Sequence, residues 1–291
     1  MKDGFLLIDK ESDYTSRDVC NIIAKIFDAK KVGHAGTLDP FATGLLIVAL
    51  NNATKTLSYI EGQYKTYEAV LSLGKKTSTG DLTGEVIEEK QIPELNEMQV
   101  KDIFQSMIGE HEQTVPITSA VHVNGRKLYQ YAHLNQEVEL PKRMVNIKEL
   151  ELLELNGSTL KFRTVVSKGT YIRTLGETIA EKFQTVGHLI ALRRTNILGL
   201  DVSKAKKIKE LKQNDLIEMS EIIQKFLPLK TLPNEDELKK ARHGGKLSLK
   251  LFPEQLDTFC VVDSKNSAVA IYKYSELGYY ECIRGINRED N

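Results

Sequence analysis

Gly33-His34-Ala35-Gly36-Thr37-Leu38-Asp39-Pro40-Phe41-Ala42-Thr43-Gly44-Leu45-Leu46 places three glycines, one proline and one acid within twelve residues. Glycine reaches positive φ and allows close backbone approach. Such a segment can therefore present N–H groups to a phosphate or hold one side chain in a fixed, exposed pose. A P-loop would need Lys-Ser or Lys-Thr directly after its last glycine. Here Gly44 precedes Leu-Leu-Ile, so the cation and the magnesium ligand of an NTPase are missing. By spacing alone Asp39, placed before a proline, is a turn or capping residue.

Working outward, LLIVAL is an apolar run bounded by turn residues and predicts a buried strand. TYEAVLSLG alternates at Tyr67, Ala69, Leu71 and Leu73 and predicts another. Upstream, GFLLID predicts a short strand. It leads through a turn at Asp13–Ser16 into a helix carrying Val19, Ile22, Ile23, Ile26 and Phe27, with Ser16 as the expected N-cap. Downstream, KKTSTGDLTGEV has no apolar period and predicts a loop, whereas IPELNEMQVKDIFQSMIG has helical spacing. TLKFRTVV alternates, turns at Lys168-Gly169 and enters a helix with Leu175, Ile179 and Phe183, placing Tyr171, Ile172 and Arg173 at the junction. LIEMSEIIQKF predicts a further helix, broken at FLPLKTLP by two prolines that mark a domain boundary near residue 230. Beyond it DTFCVVDSKNSAVAIYKYSELGYYECIRGI alternates and turns often, which predicts a small β-rich domain over 231–291.

The 291 residues carry 40 Lys+Arg against 40 Asp+Glu and are 41% hydrophobic, which excludes a protein that grips nucleic acid through a global positive field. A local excess remains, because Lys161 to Arg194 holds seven basic residues and two acids. Cys20, Cys260 and Cys282 are odd in number and scattered. Neither a disulfide framework nor a cysteine zinc site is supported, and a reducing cytoplasm is expected. The six histidines lack metal-ligand spacing, so no metal is expected. No run approaches the roughly 20 apolar residues of a membrane span.

The motif G-H-x-G-T-L-D-P-x-A-x-G-L-L resembles, at every fixed position, the signature of the bacterial tRNA pseudouridine synthases that act on uridine 55, the TruB type. Lys65-Thr66-Tyr67-Glu68-Ala69 is similar to the K-x-Y-E-A segment of that family. Ser119-Ala120 with Gly125, Leu128 and Tyr129 is similar to its S-A…G…L-Y segment. Ser167–Arg173 resembles S-K-G-T-Y-I-R, and Leu192-Arg193-Arg194 resembles L-R-R. The resemblance runs from about residue 4 to about residue 230. Two departures are Asp9–Ser16, which lacks the family's proline and glycine after the lysine, and His133 in place of a common arginine.

The resemblance implies an α+β fold built on a mixed, largely antiparallel sheet. It also implies a catalytic domain over 1–230 with a thumb-like insertion at about 113–140, and a PUA-like domain over 231–291. The implied reaction detaches a uracil and reattaches it through carbon 5, needing no cofactor. Asp39 would be its nucleophile or the base opening a glycal route, paired with Arg173. Tyr67 would stack on the flipped base, its hydroxyl a candidate acceptor of the carbon-5 proton. His34, Lys10 and Leu192 would complete the pocket, with Lys168, Arg193 and Arg194 meeting RNA phosphates. The expected partner is the T-arm stem-loop of tRNA, with no guide RNA and no obligate protein partner, the chain acting as a monomer. Two competing readings are a tRNA-refolding protein in which catalysis is secondary and a guide-directed enzyme, the latter disfavoured by the short chain and the absence of basic tails.

Overall fold

The computed structural model describes residues 2–134 and 136–287. Strand β1 (Gly4–Lys10) leads through α1 (Ser16–Phe27) and β2 (Val32–His34) to β3 (Thr43–Leu50), which pairs antiparallel with β1 from Gly4 opposite Leu50 to Lys10 opposite Gly44. The continuous apolar run of β3 reflects burial on both faces. The cap of α1 lies one residue before the expected Ser16. Thr15 accepts from the Asp18 amide at 3.1 Å while the Asp18 carboxylate accepts from the Thr15 amide at 2.9 Å, a reciprocal capping box. Ser16 is instead buried, its hydroxyl accepting from the Leu38 N–H (2.9 Å) and close to the Leu38 carbonyl (3.2 Å).

After α2 (Leu57–Glu61), β4 (Lys65–Leu73) buries every second residue, as its alternation predicts. The expected loop at 75–86 has paired arms, β5 (Lys75–Thr77) and β6 (Val86–Glu89), with Thr77 and Val86 opposite each other at the base of the loop 78–85. Helix α3 (Glu97–Ser106) and β7 (Gly109–Thr114) follow. The chain then leaves the sheet through β8 (His122–Val123), β9 (Arg126–Lys127) and α4 (Leu128–His133). It returns in β10 (Lys142–Asn156), whose Lys142 lies opposite Thr114. Strand β11 (Thr159–Val166), helix α5 (Ile172–Lys182), β12 (Gly187–Ile197) and β13 (Leu200–Asp201) complete the first sheet. Its order is β1-β3-β12-β4-β11-β10-β7, with β2 on β3 and β13 on β12. The sheet is mixed because β3 and β12 run parallel, Thr43 beside Arg193 and Gly44 beside Arg194, while the other pairs are antiparallel.

The predicted helix at 216–226 is confined to α6 (Met219–Ile223). Ile217 is drawn into a bridge with β1, exchanging hydrogen bonds with Phe5 at 2.8 and 2.9 Å. A second sheet is formed by β14 (Leu229–Thr231), β15 (Leu247–Ser248), β16 (Thr258–Val262), β17 (Ala268–Ser275) and β18 (Tyr279–Gly285), with α7 (Glu235–Arg242) beside it.

Ile23 of α1, Phe104 of α3 and Ile179 of α5 pack with Ile8, Leu71 and Phe162 of the first sheet. On the other side Phe5 and Ile47 share a cluster with Ile222 and with Val262 and Ile271 of the second sheet. Phe252, Phe259, Tyr272 and Tyr280 form a separate core within the C-terminal part. Among the described residues no helix is long and apolar enough to cross a membrane.

Candidate active site

The loop between β2 and β3 is fixed carbonyl by carbonyl. Arg194 donates to Gly36 O at 3.0 Å and Thr37 O at 3.5 Å, Ser16 Oγ contacts Leu38 O, Ala42 N–H donates to Asp39 O at 3.1 Å, and Lys10 Nζ donates to Pro40 O at 3.1 Å. Gly44, at φ +100°, lets β3 approach Arg194 so closely that any Cβ there would overlap the Arg194 carbonyl. The apolar neighbours Leu38 and Phe41 are buried, whereas the Asp39 side chain keeps 31% of its surface exposed. Asp39 thus stands out of an immobilised backbone at the mouth of a polar cluster.

Arg173, in the first turn of α5 and almost wholly buried, meets that carboxylate side-on. Its Nη2 donates to Asp39 Oδ1 at 3.3 Å. Its Nε lies 2.9 Å from Oδ2, with the N–H not aimed along the contact, so this half is an ion pair without an aligned hydrogen bond. Nη1 donates to Thr79 O at 2.7 Å and to Thr118 Oγ1 at 2.6 Å. Buried Asp81 lies 3.8 Å from Nη1, its other oxygen held by Thr79 Oγ1, the Thr83 amide and Thr83 Oγ1. One guanidinium therefore joins three loops and two acids. Burial raises the Asp39 carboxyl above its ordinary pKa; Arg173 opposes this most strongly, Asp81 adds to the rise, and Lys10 again lowers it.

Tyr67, buried on β4, lies against a different cation. The Arg194 guanidinium carbon stands 6.0 Å from the ring centroid and Nη1 is 3.5 Å from the hydroxyl. Arg194 is fully buried, its Nε donating to Leu45 O at 2.7 Å, and no acid lies within ion-pairing distance among the described residues. This corrects its expected role. A guanidinium enclosed by carbonyls has no surface to offer a phosphate, and Arg194 positions the Asp39 loop and Tyr67 instead. Lys10 is equally enclosed. Its three donors go to Glu11 O, Tyr14 O and Pro40 O, and burial pulls its pKa down to about 8. Lys65 repeats the pattern, bonded to Glu61 O and Gln63 O and also lowered to about 8 by burial.

His34 ends β2 with Nδ1 buried and unbonded. Burial first, then Arg194 and Arg17, lowers its pKa to about 4, so the ring is neutral at pH 7. Leu192 is buried in the same core cluster as Tyr67 and Leu38. Arg193, next to buried Arg194, points elsewhere and forms a two-pronged pair with Asp9 at 2.8 and 2.9 Å, its side chain 39% exposed. Lys168 is exposed at the turn before α5. The basic run 161–194 is accordingly no continuous patch. Arg173 and Arg194 are interior, while Lys161, Arg163 and Arg193 face Glu68, Glu149 and Asp9 across the strands. Among the described residues no group of three or more His, Cys, Asp and Glu could hold a metal ion.

The sequence reading missed Asp81, Thr79, Thr118 and Gln113, each bonded to Arg173 or to its helix start. The signal available for Asp81 was a single acid framed by threonines and glycines, Thr79-Gly80-Asp81-Leu82-Thr83-Gly84.

Residues 24–172 match the model of the TruB family pseudouridylate synthase, N-terminal domain. A protein of Staphylococcus saprophyticus named tRNA pseudouridine synthase B is 36% identical over 291 residues, covering 94% of this chain and 95% of its own. One of the same name from Bacillus velezensis is 42% identical over 219 residues, 73% of this chain and 71% of its own. A chain from the solved structure of an H/ACA RNP bound to a substrate RNA containing 2'-deoxyuridine superposes with a TM-score of 0.74 at 20% identity, covering 99% of this chain and 86% of that one, which shows the shared fold. With the signature loop, its aspartate and the mixed sheet all in place, the chain belongs to the TruB family of pseudouridylate synthases, enzymes of the isomerase class.

Proposed function

We propose that this protein converts uridine 55 in the T-arm of tRNA to pseudouridine, by flipping the base and breaking its glycosidic bond at Asp39. The N1–C1′ bond breaks, a C5–C1′ bond forms, the carbon-5 proton leaves and N1 gains a proton, so atoms and charge balance without a cofactor. Asp39 initiates cleavage as nucleophile or as base, and both routes need it ionised. Arg173 opposes the neutralising effect of burial, and the bonded carbonyls of residues 36–40 keep the carboxylate from moving with the substrate. Tyr67 offers a ring to the extracted base and a hydroxyl for the carbon-5 proton.

The observation that carries this reading is the contact between Asp39 of the signature loop and Arg173 at the start of α5. Residues 1–230 are read as the catalytic domain and 231–291 as an accessory PUA-like domain. tRNA is the partner, and no guide RNA is needed.

Purified protein should place pseudouridine at position 55 of an unmodified tRNA transcript, read by chemical mapping. Asp39→Asn, which keeps the shape and removes the charge, should lower the rate by at least roughly 10⁴-fold, since loss of a nucleophile elsewhere costs up to about 10⁶-fold. Turnover by Asp39→Asn within tenfold of the unmodified protein would refute the assignment.

A further inference from the structure

The segment leaving the first sheet at Thr114 grips the start of α5 at two points, Tyr171 and Arg173. Before the exit, buried Gln113 bonds both backbone groups of Tyr171, the N-cap of α5. Its Nε2 donates to Tyr171 O at 3.1 Å and its Oε1 accepts from the Tyr171 amide at 2.8 Å. Five residues later, beyond Pro116, Thr118 Oγ1 accepts from Arg173 Nη1 at 2.6 Å and Thr118 O from Nη2 at 3.4 Å. One short stretch of chain therefore fixes where the helix begins and where the guanidinium at its start ends.

The excursion is tied at its base by the Val115 N–H to Pro141 O bond at 2.9 Å and carries β8, β9 and α4. Its placement is thus transmitted to Arg173 through Thr118. The guanidinium plane has few other restraints. Thr79 O takes one Nη1 hydrogen, Asp81 stands off at 3.8 Å, and the Nε–H is not aimed at Asp39. Without the Thr118 hydroxyl, Nη1 keeps only Thr79 O and the guanidinium can tilt toward Asp81, leaving the long Nη2 contacts to Asp39 Oδ1 (3.3 Å) and the Thr118 carbonyl (3.4 Å) to hold the pairing.

We infer that Thr118 is a positioning residue for the reaction, its hydroxyl holding Arg173 in the orientation that pairs with Asp39. This rests on the proposed activity. Thr118 touches neither base nor sugar in this role; it acts only through Arg173.

The test compares Thr118→Val, which keeps the branched shape without the acceptor, with Thr118→Ser, which keeps the hydroxyl. Single-turnover pseudouridine formation in tRNA transcript is followed across pH, alongside tRNA affinity and the thermal midpoint. Loss of a hydrogen bond to a charged group should slow Thr118→Val roughly 10- to 100-fold at saturating tRNA, with affinity and thermal midpoint unchanged and Thr118→Ser largely rescued. The acid limb should move to higher pH. Among the charged groups facing Asp39, namely Arg173, Asp81 and Lys10, the one that most favours its ionised form has been misaligned. A Thr118→Val rate within threefold of the parent, a lowered rate with an unmoved acid limb, or failure of Thr118→Ser to rescue would each overturn the inference. Absence of pseudouridine from the parent protein would instead overturn the activity on which it rests.

Discussion

The cores of the two sheets differ in kind. Every buried polar or charged residue among those described belongs to the first sheet and the elements around it except Ser220, whose hydroxyl accepts from Asn266 in the turn between β16 and β17. The second sheet encloses aliphatic side chains, Phe252, Phe259 and the rings of Tyr272 and Tyr280. A buried cation is costly to desolvate and persists only where carbonyls or acids meet it. The first sheet holds four, Lys10, Lys65, Arg173 and Arg194; Lys65 is bonded to the carbonyls at the end of α2 and the other three to Asp39 or the loop that carries it. The contrast teaches that enclosed charge, rather than enclosed volume, sets the proposed site apart from the rest of the molecule.

The sharpest way to break this contrast is one truncation on each side. Arg194→Met should leave the carbonyls of Gly36, Thr37 and Leu45 unpaired, at about 1–3 kcal/mol each if water does not replace the donor, and should abolish turnover as the Asp39 loop relaxes. Phe259→Ala should cost about 3–5 kcal/mol through a cavity between Phe252, Tyr272 and Tyr280, yet leave kcat/KM unchanged below the melting transition. Denaturant melts with parallel kinetics check both. A Phe259→Ala protein that is folded but slow would erase the distinction.

A smaller effect concerns His34. Its folded pKa of about 4 lies below the ordinary 6.5, so between those values the unfolded chain binds a proton that the folded protein refuses. Stability should therefore rise with pH across that window and fall on acidification through it. His34→Gln should remove up to roughly 3 kcal/mol of that rise across the window, and an unchanged pH dependence in urea melts from pH 4 to 7 would remove His34 from the buried, neutral set.

Smallest of all, Arg193→Ala breaks a pair with Asp9 whose arginine is partly exposed, worth about 0–1 kcal/mol. If Arg193 also meets a phosphate, the mutation reduces the salt dependence of tRNA binding by about one unit of slope. Filter binding across salt reads this, and an unaltered slope confines Arg193 to its structural pair.

Strands β4 and β11 and the body of α1 and α5 were legible because their apolar period decides which face is buried, and β1 and β3 because an apolar run bounded by turn residues marks a strand buried on both faces. The Asp39 loop was legible through its glycines and its resemblance to a known signature. The burial of Arg194 was not, because Leu192-Arg193-Arg194 reads as two equivalent cations. Both lie in β12, where consecutive side chains point to opposite faces of the sheet, so Arg194 turns inward with Leu192 and Arg193 stays at the surface. Asp81 and Thr118 escaped for another reason. Their partner Arg173 lies 55 or more residues away, and local pattern says nothing about loops that meet only after the sheet has closed.

The parallel contact between β3 and β12 also sets a timetable. The β1–β3 pair is made early in synthesis, but Arg194, which holds the Gly36 and Thr37 carbonyls, sits about 150 residues beyond its β3 partner Gly44. At about 5–20 residues per second of translation, the Asp39 loop waits roughly 10–30 s for its anchor to be made. A ribosome-bound chain stalled before β12 would therefore carry the whole signature yet have no competent site, and such non-local closure places site assembly among the last events of folding.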